Sequence, residues 1–519
     1  MTTGPSYQPR LRGAVAGLVA AAVAIGVSEL LAGLVAGAPS LVVAVGQTII
    51  DLQPPGAKDF VVAAFGENDK LALEIFLVAV SLFIGAGLGI LARRSFPAAA
   101  LGFAAAALLA AIAALRDPRT DVTLAAIAAA VAGAGGIEAL SLLTGPPSAG
   151  ASSARGAARA RGSMPDWSRR SFLRTSSALA VGAVAAGAVG RSLLDGQRRS
   201  TALAQTELPH PTAVASLPPG ASLDVAGLTP LVVPSERFYR IDTALLVPSV
   251  DVASWRLRIH GMVERETTLT FKDLLALGTF EQYVTIACVS NLVGGNLVGN
   301  AKWTGVHLRD VLDIAGVKPG ATQLVGRSVD GWTAGMPTAW VMDRARQPMI
   351  AVAMNDAPLP MAHGFPARLI VPGLFGYVSA TKWLKELELT TLEAFDAYWV
   401  PLGWAKEGPI LTQSRIDVPR DAAGVPAGRV AVAGVAWAPD RGVRRVEVGI
   451  DGTWRDATMS TPISDTTWVQ WRFDWDATPG QHAVSVRATD GRGDVQTADR
   501  SDPAPDGARG HHTIVVSVA

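Results

Sequence analysis

The hydropathy pattern changes character near residue 195. Before that point, long apolar runs with few charges recur at about 13–36, 71–91, 98–115 and 122–143. A bilayer core takes about 20 apolar helical residues to cross, so these runs predict four spanning helices, and a fifth apolar run lies at 178–190. Two further pieces, 41–50 and 60–65, are too short to span and are expected to be interfacial or re-entrant. Beyond residue 195 the segments are short. Residues 255–263 and 284–289 read as strands, and 271–277 and 306–314 as short helices, with Trp303 to Val306 leading into the second. After about residue 409, alternating segments at 430–437, 443–450, 468–475, 482–489 and 512–518 are separated by turn sequences such as Pro-Asp-Arg-Gly and Asp-Gly, a spacing that predicts a β-sandwich.

Charge placement gives the expected topology. Arg93 and Arg94 separate the second and third runs, whereas Glu67, Asp69 and Lys70 precede the second. Positive loops stay on the cytoplasmic side, which puts the N-terminus and the arginine-bearing stretch 148–170 inside and the chain beyond about 195 outside. Glu29, Glu74 and Glu138 lie within or at the edges of the runs; a carboxylate there is a candidate for membrane chemistry or an interfacial group. Residues 208–234 carry six prolines and one charged side chain, Asp224, and read as a linker.

Composition sharpens this division. A hydrophobic fraction of 49% with charged residues at 17% and a mean hydropathy of +0.30 describes a chain that is part membrane, part globular. The net charge of +1 gives no nucleic-acid footprint. All seven histidines lie at or beyond His210, so bis-histidine haem in the spans is excluded. A single cysteine, Cys288, excludes an internal disulfide, a zinc ribbon and an iron–sulfur ligand set. Its surroundings, a buried strand followed by a loop at 290–300 with three glycines and three amides, form a shape in which backbone can approach a ligand. A lone thiol serves as core filler, nucleophile or soft metal ligand, and the residues alone leave these open.

From about residue 238 to the end, the chain resembles the sulfite-oxidase-like molybdopterin oxidoreductases. Cys288 and Asn291 match the family's C-x-x-N loop. Met354 to Pro360 resembles its MNG-x-x-LP stretch, with Asp356 replacing the glycine; His363 to Gly373 resembles HG-[FY]-P-x-R-[LV]-x-VPG; and Lys382-Trp383-Leu384 resembles KW-[LI]. Phe238 to Asp242 partly resembles F-x-R-N-H: Arg240 is retained, and Ile241 and Asp242 replace the Asn and His. The resemblance implies an enzyme in which Cys288 ligates molybdenum. Asn291, His363, Arg368 and Lys382 would bind the anionic molybdopterin, and Arg240 would serve substrate. Read singly, Arg368 is equally a surface ion pair and Lys382 a solvated strand end. The resemblance also implies an α+β cofactor domain and an immunoglobulin-like, dimerisation-type C-terminal domain, hence a homodimer. Ser168-Arg169-Arg170-Ser171-Phe172-Leu173 looks like a twin-arginine export signal ahead of the fifth run, with an Ala-x-Ala-like site at 202–204.

The expected organisation is therefore transmembrane helices over 1–145, a cytoplasmic linker, signal and last membrane segment over 146–200, a linker over 201–235, a molybdopterin-binding domain over 236–408 and the immunoglobulin-like domain over 409–519. The expected function is two-electron redox or oxygen-atom transfer on a small substrate outside the cytoplasm, with an external electron-transfer partner. Sulfite oxidase proper fits less well, because Leu292 and Val293 stand where an arginine is expected. A metal-free membrane-anchored sensor on the same scaffold is the alternative from another class. A transporter is disfavoured, since the runs show no repeat or matching broken pair.

Overall fold

The computed structural model describes residues 7–54, 65, 69–117, 120–144, 169–203 and 210–519. The apolar piece 60–65 apart from Phe65, the arginine-bearing stretch through Ser168, and Ala204 lie outside the described residues. The chain forms two compact units, Met1–Ser200 with Thr243–Leu246, and Thr201–Asp242 with Val247–Ala519.

The first unit is helical: Tyr7–Leu34, Leu41–Asp51, Asp69–Ala92, Phe96–Ala114, Val122–Thr144 and Arg169–Leu203. Its sequences are dominated by alanine and leucine, the strongest helix formers. Ser40 and Ser95 start two of the helices by accepting from Val43 N and Ala98 N, each at 3.3 Å. Among the described residues five helices are long and apolar enough to cross a membrane, and Leu41–Asp51 is not. The first and third helices approach so closely that a Cβ on Gly17 would lie 2.0 Å from Gly85 O, the packing that small residues permit between apolar helices. The last helix is 35 residues long and so extends well past the apolar run 178–190, because the flanking Arg, Gln, Leu and Ser residues also propagate a helix. Its Arg191 donates to Glu29 at 3.3 Å and to Glu74 at 2.5 Å, and Ser40 Oγ donates to Glu29 at 2.5 Å, so both carboxylates have a positive partner; Glu138 is exposed.

Among the described residues the second unit contains four sheets. Strands β1 (Arg256–Gly261), β2 (Thr267–Thr270), β5 (Gln323–Ser328), β6 (Thr333–Pro337) and β10 (Leu384–Thr390) form one, in the order β2-β1-β10-β5-β6, with β1 parallel to β10. Strands β3 (Phe280–Ala287), β4 (Val298–His307), β7 (Met349–Met354) and β8 (Ala357–Pro358) form the next in that order, and β9 (Arg368–Ile370) pairs with β7. The helices Phe271–Ala276 and Leu308–Ala315 interleave with these strands, giving an α+β arrangement. Beyond Pro409, β11 (Gln413–Val418), β13 (Gly428–Trp437), β16 (Thr458–Met459) and β17 (Val469–Ala477) form a sheet ordered β11-β13-β17-β16. Strands β12 (Gly424–Val425), β14 (Val443–Ile450), β15 (Thr453–Asp456), β18 (Gly480–Asp490) and β19 (His512–Val518) form the other, ordered β12-β19-β18-β14-β15. Val432 and Trp471 of the former and Val446, Val448, Val484 and Val516 of the latter share one buried core, as a two-sheet sandwich requires.

Several local expectations need correction. The strand leading to Cys288 starts at Phe280 and ends at Ala287, and the loop ends at Leu297 rather than Asn300. Asn300 lies within β4, fully buried, and its Nδ2 donates to Leu231 O at 3.0 Å while Oδ1 accepts from Thr285 Oγ1 at 3.2 Å. A buried amide whose hydrogen bonds are made fits a strand as well as an apolar residue does. Trp303 to Val306 also belong to β4, and the following helix starts at Leu308. The proline-rich stretch from His210 to Pro234 holds no helix or strand, yet it is packed: Ala221, Leu231 and Val233 are buried, and Leu231 O also accepts from Trp468 Nε1 at 2.8 Å.

Candidate functional site

Cys288 directly follows β3. Its N–H donates to Leu297 O at 2.9 Å, and its carbonyl accepts from Asn291 N at 3.1 Å, forming a tight turn over the C-x-x-N residues. Asn291 Oδ1 accepts from Leu297 N at 2.8 Å, so this side chain closes the loop on itself. Cys288 is 8% exposed, while Leu292 projects outward at 61%.

The other sequence candidates come together on two segments. The stretch after β8 turns at Gly364, whose φ of +112° and close approach to Lys382 (a Cβ would lie 3.1 Å from Lys382 Cα) leave room for glycine alone. His363 Nε2 donates to Ser235 O at 2.9 Å, which leaves Nδ1 as the ring acceptor, and the Phe238 ring packs edge-on against it at 5.7 Å. Arg368, 3% exposed, donates from Nη1 to His363 O at 3.0 Å and lies over the Trp303 ring at 5.0 Å. Its Nε is buried without a partner. Lys382, 9% exposed, donates to Asp242 at 3.0 Å and to Ala362 O at 3.0 Å, and is neither a solvated strand end nor a surface group. Arg240 also meets Asp242, donating from Nε at 2.9 Å, and its side chain is about one-third exposed.

These residues hold more positive charge than the structure neutralises locally. Burial holds Lys382 down to about 8, with Arg368 and Arg240 adding to that while Asp242 opposes it. Burial likewise lowers Arg368 to about 10. His363 falls to about 3 through burial and the charges of Lys382, Arg368 and Arg240. Tyr239, stacked on Phe238 at 5.3 Å, is pushed above the ordinary phenol range by burial and by Cys288, with Arg368 opposing. A buried guanidinium NH without an acceptor costs about 1–3 kcal/mol or more, so the arrangement is complementary to an anion with several acceptor oxygens. No cluster of three or more His, Cys, Asp or Glu side chains arranged to hold a metal occurs among the described residues. Cys288 alone supplies a soft donor, which fits a metal whose other ligands come from a bound organic group.

The sequence profile described as "Oxidoreductase molybdopterin binding domain" matches residues 244–399. "Uncharacterized oxidoreductase YuiH" of Bacillus subtilis strain 168 is 32% identical over 158 residues, covering 30% of this chain and 76% of that protein. The chain belongs to this molybdopterin-binding oxidoreductase family. Human mitochondrial sulfite oxidase is 29% identical over 289 residues, covering 47% of this chain and 53% of that protein. The chain thus spans about half the length of several curated relatives that it matches. The solved sulfane dehydrogenase SoxCD of Paracoccus pantotrophus is 23% identical, with 59% of this chain and 88% of that one covered at a TM-score of 0.49.

Family membership makes the domain an oxidoreductase that uses molybdopterin, and the donor set fits that group. Sequence reasoning missed two members of this cluster. Tyr239 carried no signal beyond its place between Phe238 and Arg240. Asp242 was visible as a departure from the family pattern, but not as the acceptor shared by Arg240 and Lys382. The depressed His363 gives a testable pH dependence. The folded chain keeps this ring neutral down to about 3, whereas an unfolded chain protonates it near its ordinary 6.5. Stability present above about pH 6.5 is therefore lost as pH falls toward 3. In protein lacking cofactor, His363→Gln removes this linkage, so its melting temperature should fall less between about pH 7 and pH 4 than that of the parent; equal slopes would contradict the assignment.

Proposed function

We propose that this chain is a membrane-anchored molybdenum–molybdopterin oxidoreductase whose reaction centre faces away from the cytoplasm and whose substrate is small and neutral, such as an S-oxide or N-oxide. The observation that carries the cofactor site is the desolvated cation group, Arg368 with its unpartnered Nε and Lys382, together with the buried Cys288, Tyr239 interacting with both Cys288 and Arg368. In this reading Cys288 thiolate ligates the metal, His363, Arg368 and Lys382 hold the phosphate-bearing pterin, and Asn291 acts on the cofactor by shaping the loop around Cys288. When bound, the cofactor supplies two-electron redox with oxygen-atom transfer. Reduction of an S-oxide consumes two electrons and two protons and releases the sulfide and water.

The side chains at positions 240, 292 and 293 argue for a neutral substrate. A sulfur oxyanion needs convergent cations, each charged hydrogen bond contributing about 1.5–3 kcal/mol. Leu292 and Val293 supply none, and Arg240 already serves Asp242. With Nε and Nη2 on Asp242, Arg240 keeps its Nη1 for orienting a single substrate oxygen. An electron-transfer partner of unassigned kind goes with this reading, since the helices contain no histidine to hold a bis-histidine haem.

The domain boundaries that accompany this reading are 1–145, 146–200, 201–235, 236–408 and 409–519, the last an immunoglobulin-like, dimerisation-type sandwich. The Arg169-Arg170 pair would act as the export address for the folded domain. Protease added to spheroplasts should remove everything beyond about residue 210 while sparing the helices, and full protection of that region would reverse the proposed sidedness.

The catalytic reading is tested by turnover of purified protein with methionine sulfoxide and a reduced dye, and with sulfite and an oxidised one. S-oxide reduction should exceed sulfite oxidation, and Cys288→Ser should lower turnover by more than about 100-fold without unfolding the protein, because a hydroxyl is a hard, poorly ionised donor. Efficient sulfite oxidation would overturn the substrate assignment, and an active Cys288→Ser variant would overturn the ligand assignment.

A further inference from the structure

The loop that carries Cys288 is held from outside its own sheet as well as from within. Asn291 and Leu297 close it internally. From the C-terminal sandwich, Arg415 of β11 reaches across, and its Nη1 donates to Gly295 O at 2.8 Å. The other two nitrogens of this buried guanidinium are engaged as well: Nη2 donates to Thr229 Oγ1 at 2.9 Å and Nε to Asp417 Oδ1 at 2.6 Å, while Asp417 accepts from Thr229 N at 3.1 Å. A planar guanidinium fixed by three acceptors in different directions keeps little rotational freedom. On the same side, His512 Nδ1 accepts from Ile416 N at 2.9 Å, which sets the ring, and a Cβ on Gly294 would lie 2.3 Å from that ring. Gly294, at φ +78°, is therefore pressed against an aromatic surface while the next residue is held by Arg415.

We propose that Arg415 is a positioning residue for the metal ligand. Through Gly295 it fixes the loop after Cys288, and with it the direction of the thiolate, which makes the C-terminal sandwich part of the scaffold of the reaction centre. The proposal rests on Cys288 being the metal ligand. An arginine needed only for sandwich stability would be satisfied by Asp417 and Thr229; its third bond goes to a loop carbonyl that has no other strand to pair with. Lysine keeps the charge beside Asp417 but, as a single ammonium on a flexible stem, cannot reproduce the three-way fork.

The test compares Arg415→Lys with Thr229→Val in the full-length holoenzyme. The second variant removes a bond from the same network without touching the loop. Groups that orient a metal ligand typically contribute about 10- to 100-fold in activity. Arg415→Lys should therefore lose about that much kcat at unchanged molybdenum and pterin content, with KM within about twofold, and its sulfur shell in molybdenum K-edge X-ray absorption should broaden. Thr229→Val should keep both kcat and the sulfur shell. Because the chain has one thiol, a second readout uses full-length protein made without molybdenum: iodoacetamide should alkylate Cys288 faster in Arg415→Lys than in Thr229→Val. Equal losses in the two variants, or an unchanged sulfur shell and kcat in Arg415→Lys, would overturn the proposal. If the parent protein binds no molybdenum, the ligand reading fails with the catalytic arm of the test, while equal alkylation rates would separately show that Arg415 does not hold the loop.

Discussion

Positive charge removed from water is the constraint on which the second unit depends. Arg368 and Lys382 are buried on neighbouring segments, and Asp242 is the acid that meets Lys382. Taking such groups out of water costs several kcal/mol each unless they are paired. The fold meets part of this cost with backbone carbonyls: His363 O accepts from Arg368 and Ala362 O from Lys382. The face of Trp303 under Arg368 adds a cation–π contact. What is left, the Arg368 Nε in particular, is binding capacity for an anion. Much of the local backbone follows from this arrangement: the left-handed Gly364 brings the His363 and Lys382 segments together, and Trp383, itself at φ +49°, is tied down by its Nε1 bond to Met361 O at 2.8 Å.

The same unit joins its cofactor sheets to the sandwich through buried polar bonds. Thr285 of β3 accepts from Trp468 N at 2.8 Å, Trp468 Nε1 donates to Leu231 O, and Arg415 reaches the loop at Gly295. Trp437 and Trp468 lie in the core that the two cofactor sheets share. The sandwich is thus continuous with the walls of the site, and the stretch through Leu231 is a strap between them.

Much of this was legible in the chain. Apolar runs marked the long helices because an unbroken apolar stretch of that length leaves one simple pattern, and alternation with turn sequences placed β14 and β19 at their observed bounds. Cys288, Asn291, His363, Arg368 and Lys382 were singled out by motif spacing, a signal that periodicity does not carry. The loop after Cys288 was carried through Asn300 because an amide reads as a loop residue: here Asn300 is satisfied inside β4 by Leu231 O, and Lys302, two residues on, pairs with Glu281 and Asp356. The substitution at Asp356 also has a local explanation. Asn355 and Asp356 have φ of +51° and +64°, a conformation that Asn and Asp tolerate better than most residues, and Asp356 gains Lys302 as a partner. The contacts of Asp242, Tyr239 and Arg415 were not legible, because each depends on a residue distant in sequence or on burial that no local pattern encodes.

The central claim is that the buried cations and Cys288 hold a molybdenum–molybdopterin group. The most direct measurement is the metal and pterin content of the full-length protein purified from cells with intact cofactor synthesis. The account predicts about one molybdenum and about one pterin per chain, with pterin largely retained in Cys288→Ser and lost when Arg368 and Lys382 are both replaced by methionine. A folded protein that contains neither molybdenum nor pterin would contradict it.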